Sequence, residues 1–77
     1  SKVTQWMFKD CDTDSFERFE PLVNAKIEAA YDKKKPAVDI ADGLYRVHFK
    51  TMIMKEIQGS VVTEVRRENQ SKLHSNV

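Results

Sequence analysis

The chain has 77 residues, which is one domain's worth and one core's worth. A domain of this size buries only about 60% of the surface its unfolded chain exposes, so a deep, enclosed active site is hard to accommodate beside the core. Lysine plus arginine is 13 and aspartate plus glutamate is 12, a net charge of +1 that is too balanced for a module whose main task is gripping DNA or RNA. Specific DNA binding is therefore not expected. The single cysteine, Cys11, rules out an intramolecular disulfide and a multi-cysteine metal site, and it suits a reducing compartment, nuclear or cytoplasmic. The sequence shows no signal peptide and no apolar run of membrane-spanning length. Both ends read as boundaries inside a longer polypeptide.

From Val3 to Lys9, Thr4, Trp6 and Phe8 alternate with Gln5, Met7 and Lys9, a period-two pattern that predicts a strand. Asp10 to Ser15 is a polar loop, and Phe16 to Phe19 reads as a second strand hairpinned to the first. Pro21 suits the first position of a helix, where its missing N–H is no loss. Val23, Ile27, Ala30 and Tyr31 then recur at helical spacing and form one buried stripe. Lys33, Lys34 and Lys35 close that helix, their cations complementing its carbonyl end, and Pro36 stops it. Period two returns over Ala37–Ile40, Leu44–Lys50, Thr51–Ile57 and Val61–Arg67, with turn signals at Asp42-Gly43 and Gln58-Gly59-Ser60. Strands this close in sequence predict an antiparallel meander. Residues 68–77, which hold only Leu73 and Val77 as apolar side chains, read as a disordered tail or linker after a domain spanning 1–67. The fold class expected is α+β, an antiparallel six-stranded curved sheet, or half-barrel, with one helix packed on it.

Few residues point to chemistry. Glu28 has no histidine or second carboxylate at a catalytic spacing, so no catalytic residue is assigned and the domain is not expected to be an enzyme. Asp10, Asp12 and Asp14 alternate like the opening of a calcium loop, but Ser15 and Pro21 stand where such a loop requires glycine and glutamate. His48 and His74 lie far apart in sequence, and no metal site is expected. Cys11 sits among carboxylates that disfavour its thiolate. Trp6 and Phe16 read as core aromatics, while Tyr45 sits where a hydroxyl can stay wet. Lys33–Lys35 read as a solvated helix end before a localisation signal or polyanion contact, and Arg66 and Arg67 as a polar strand end or a phosphate contact.

The order of elements and several residues together resemble a WWE domain. Trp6 falls at the family's first tryptophan, Phe16 at its second and Glu28 at its glutamate, within Asn24-Ala25-Lys26-Ile27-Glu28-Ala29-Ala30-Tyr31. Tyr45-Arg46-Val47-His48-Phe49 resembles the family's central strand, with Met52, Gly59 and Arg66-Arg67 at further expected points. The phrase Phe19-Glu20-Pro21-Leu22-Val23-Asn24 looks most like WWE domains of the poly(ADP-ribose) polymerase and mono-ADP-ribosyltransferase group. The resemblance implies a larger ADP-ribosyltransferase as parent, with catalysis elsewhere, and a module that binds ADP-ribose or poly(ADP-ribose) or other protein domains. No cofactor is implied, and a monomer is expected.

Family pockets pair an aromatic after the first tryptophan, a strand tyrosine, a glutamine and an arginine. Stacking, an edge-reading amide and a guanidinium fork would together hold an adenine and a phosphate. Here the resemblance sets Tyr45 at the tyrosine, Met7 at the aromatic, Met54 at the glutamine and Thr63 at the arginine. Methionine cannot read hydrogen bonds and threonine cannot neutralise a pyrophosphate, so a degraded pocket with weak ADP-ribose binding is expected. The candidate ligand-contacting residues are Tyr45, Trp6, Met7, Met54, Thr63 and Arg66, expected to line one region. The alternative is an adaptor of the ubiquitin or ADP-ribosylation pathway that binds no nucleotide and presents an apolar patch at Met52, Ile53 and Met54.

Overall fold

Alternating apolar and polar side chains make a strand that can bury one face, and six such segments pair into one sheet. A computed structural model describes residues 2–71. The strands are β1 (Lys2–Lys9), β2 (Phe16–Arg18), β3 (Ala37–Ile40), β4 (Tyr45–His48), β5 (Ile53–Glu56) and β6 (Val62–Ser71), and the helix α1 is Pro21–Asp32. They lie in the order β2-β1-β6-β5-β4-β3, with every pair antiparallel. The α+β half-barrel expected from the sequence is the fold observed. Helix α1 packs against both β1 and β3. Those strands are four positions apart, ~19 Å across a flat sheet. A helix ~10 Å wide reaches both only because the sheet curls around it.

Buried Trp6, Phe19, Ile27, Ile40, Val47, Met54 and Val65 form the core between helix and sheet. The partly buried Tyr45, Phe49 and Met52 pack against it. The strand registers put Phe8 with Val65, Trp6 with Arg67, Met54 with Val47 and Thr63, and Tyr45 with Ile40 and Glu56. Directly paired residues share a face, so all of these lie on the helix-covered side. Met7, Arg66, Arg18, Lys55, Arg46 and His48 take the outer face.

Three expectations need correction. The helix ends at Asp32, so the three lysines follow it instead of closing it. Lys34 is left-handed (φ 61), and its N–H bonds Tyr31 O while Lys35 N–H bonds Ala30 O. This is the Schellman ending, which stops the helix before the left-handed Lys34. Phe16, read as core, is half-buried on the outer side, and Phe19 fills the core in its place. Finally, β6 does not stop at Arg67. It continues to Ser71, because β1 offers ladder partners back to Lys2. The polar residues 68–71 thus belong to the sheet, and the rest of the expected tail, with His74, lies outside the described residues.

Candidate functional site

The densest polar cluster joins the helix to the two longest strands. Trp6 is wholly buried, so its indole N–H needs an acceptor, and it donates to Glu28 Oε1 at 2.8 Å. Arg67 donates to the same carboxylate through Nε (3.0 Å, to Oε1) and Nη2 (2.8 Å, to Oε2), a bidentate fork. These hydrogen bonds hold the Glu28 carboxyl below the usual carboxylate range, first through Arg67 and then through Trp6, against an opposing effect of burial. The Arg67 guanidinium lies 4.7 Å from the Tyr31 ring centroid, and Tyr31 and Phe49 set their edges against Trp6 at 5.3 and 5.6 Å. Every charge is matched and no nucleophile stands near. The arrangement can orient and fasten, but it supplies no acid, base or leaving-group chemistry.

The same region shows how one side chain stands in for a strand. Strand β2 ends at Arg18, and beyond it the edge of β1 has no strand partner. Asn24 of α1 covers that edge: its Oδ1 accepts the Trp6 N–H at 2.6 Å, and its Nδ2 donates to Thr4 O at 3.0 Å.

The residues singled out as ligand contacts do not converge. Trp6, Tyr45, Met54 and Thr63 lie on the helix-covered face, whereas Met7 and Arg66, paired with each other, lie on the outer face. The reason is the two-residue period: Val65 and Arg67 point inward, so Arg66 points out. Arg66 rests 3.9 Å from the Phe16 ring centroid and reaches Glu68 at 3.4 Å. On the inner face, Trp6 and Met54 are core, and Thr63 Oγ1 donates to Lys9 O at 2.6 Å. Tyr45 alone of the four is both half-buried and uncommitted to a side-chain hydrogen bond among the described residues. The apolar patch expected at Met52, Ile53 and Met54 is absent as such, since Met54 is buried and its neighbours half-buried. Exposed apolar side chains gather instead at Leu44, Ile57, Val61 and Val62, where β4 begins, β5 ends and β6 begins.

Concave surface lies elsewhere. A cleft of about 340 Å3 is lined by Tyr31, Asp32, Lys34, Lys35 and Phe49. A second, of about 370 Å3, runs beside β3 and is lined by Lys26, Lys35, Ala37, Val38, Asp39 and Arg46. None of the six ligand candidates lines either one. Asp39 is bound by Arg46 through Oδ1 at 2.6 Å and Oδ2 at 3.2 Å, which lowers its pKa from the ordinary aspartate value. Near Cys11, Asp10 Oδ1 accepts the N–H groups of Asp12 and Thr13, so that carboxylate organises its own loop. Among the described residues, no group of three or more His, Cys, Asp or Glu side chains is placed to hold a metal ion. No helix of the described residues is long and apolar enough to cross a membrane.

The sequence reading named Arg67 and Asn24 but missed what each one holds. Arg67 was within reach, since carrying the two-residue period inward from Val65 lands on it. Asn24 left no such signal, because a helix asparagine reads as a polar surface residue.

An open six-stranded sheet curled on one helix and fastened by a tryptophan–glutamate–arginine cluster defines a small α+β module. The WWE domain family model matches residues 4–67, and the chain belongs to that family. WWE domains are non-catalytic modules that mediate protein interaction and bind ADP-ribose derivatives. Among curated proteins, none matches the chain significantly.

Proposed function

We propose that this WWE domain is the protein-interaction module of a larger ADP-ribosyltransferase whose catalysis lies outside these residues, and that its own ADP-ribose grip is degraded. The observation that carries the reading is the surroundings of Tyr45. Its ladder neighbours on the inner face are Ile40 and Glu56; Met54 stands two residues from Glu56 along β5, with Thr63 opposite it on β6. That set contains a carboxylate and no cation, a poor receptor for a pyrophosphate. Of the two arginines ending the domain, Arg67 is spent on Glu28 and Arg66 faces outward. The transferase parent rests on the wording of residues 19–24, and a nuclear or cytoplasmic monomer is part of the same proposal.

The test is calorimetric titration of the chain with ADP-ribose, iso-ADP-ribose and ATP. The expected result is no sub-micromolar complex with any of them. A sub-micromolar complex with one would overturn the degraded grip.

A further inference from the structure

The two lateral edges of the helix-side opening are treated differently. On β1, Asn24 satisfies the N–H and C=O that β2 leaves uncovered. On β3, the last strand of the sheet, no side chain among the described residues gives such cover. The Phe49 N–H bonds Pro36 O at 3.1 Å, which fixes the hydrogen-bonded register of β3 against β4. With that pair facing inward, Val38 and Ile40 also turn their backbone groups to β4. Ala37 and Asp39 turn theirs outward, to the free edge. Among the described residues, neither one forms a backbone hydrogen bond on that side.

This edge opens on the cleft of about 370 Å3 that holds Lys26 and Lys35 beside Ala37 and Asp39. Three cations and one anion line it, and Arg46 is already bound to Asp39. Lys26 and Lys35 make no ion pair among the described residues. A free strand edge wants backbone partners, and two unpaired lysines above it want carboxylates. One ligand chemistry meets both demands.

We propose that the β3 edge is a docking site for an extended acidic peptide, which adds to the sheet as a seventh strand. Its backbone pairs with Ala37 and Asp39, and its acidic side chains, two residues apart on the helix side, meet Lys26 and Lys35. The proposal rests on the interaction-module reading, and names the partner class and the surface.

The test is an NMR titration of the isotope-labelled chain with a short peptide alternating glutamate and valine. The expected result is saturable shifts of the Ala37 and Asp39 amides. A strand uses alternate amides, so of two versions N-methylated at odd or at even positions, one loses the effect and the other keeps it. Lys26→Glu and Lys35→Glu together weaken binding about tenfold, through like-charge repulsion, with the fold's spectrum otherwise preserved. The proposal is overturned if the shifts map away from Ala37–Asp39, if both methylated peptides bind equally well, or if a single-stranded oligonucleotide produces the same shifts. Failure here leaves the degraded-grip reading intact, since that reading falls only on tight ADP-ribose binding in the calorimeter.

Discussion

Asn24 does with one carboxamide what a neighbouring strand does with two backbone groups, and this makes it expensive to lose. Asn24→Ala leaves the Trp6 N–H and the Thr4 C=O without partners at the margin of the core. An unsatisfied buried group costs about 1–3 kcal/mol, so the unfolding free energy read from urea melts should fall by an amount in that range, with a lower midpoint. Asn24→Asp keeps the acceptor but loses the donor, and should fall less than the alanine variant. A wild-type midpoint for Asn24→Ala would show that water replaces the carboxamide freely. Glu28 is a second such residue, and its effect depends on pH. Folding lowers its pKa through the Arg67 and Trp6 hydrogen bonds. The stabilisation is therefore complete above the ordinary value of 4.5 and is lost as pH falls through the lowered folded value. Glu28→Gln lacks this dependence. Its stability deficit, about 1–3 kcal/mol at neutral pH for lost charge-assisted bonds, should narrow on acidification below that point. Parallel pH profiles for the two proteins in urea melts would contradict the assignment.

At the scale of elements, the helix end carries a correctable strain. Lys34 takes the left-handed conformation that the Schellman ending demands, with φ of 61. Glycine adopts that conformation without a Cβ penalty, so Lys34→Gly should raise stability by about 0.5–1 kcal/mol, read as a higher thermal midpoint. A lower midpoint would mean that the lysine side chain contributes more than the strain removes. The longest strand makes the complementary case. Because Trp6 directs its backbone to the β2 side, Val3, Gln5 and Met7 direct theirs to β6, opposite Gln70, Glu68 and Arg66. A chain ending at Arg67 should lose amide exchange protection at Val3 and Gln5 while Met7 retains it. What the sequence revealed follows the same division. Strand β4 and most of the stripe Val23, Ile27, Ala30 and Tyr31 were legible, because burial imposes a period on apolar residues, but Tyr31, expected buried with the others, is exposed at the helix end. Residues 68–71 were not, since both their faces are polar and their strand character comes entirely from pairing with β1. The candidate site was less legible than the fold. The resemblance named Trp6 and Glu28, which do meet, but a linear motif gave no face to Met7 and Arg66, and only the register placed them on the outer side.

For the whole molecule, β6 decides whether there is a sheet at all. It lies between β1 and β5, and so joins the β2-β1 hairpin to the β5-β4-β3 meander. Its pairing with β1 connects Lys2 to Ser71, the full described length of the chain. Closing so long a loop is entropically costly before any contact repays it, and a two-stranded hairpin alone is marginal in water. Helix α1 cannot rescue the separate halves, because its anchor is shared: Glu28 holds Trp6 from β1 and Arg67 from β6 together. The core is divided in the same way, with Val65 of β6 packed among Trp6, Ile27 and Met54. The full chain should therefore unfold in one step, with the Trp6 fluorescence and far-ultraviolet circular dichroism transitions coinciding. A chain ending at Ser60 should show neither a cooperative transition nor near-ultraviolet dichroism from Trp6. A peptide spanning residues 61–71, added to it in trans, should restore both signals in a concentration-dependent way. Cooperative melting of the shortened chain by itself would show instead that helix and meander form an independent unit, with β1 and β6 added afterwards.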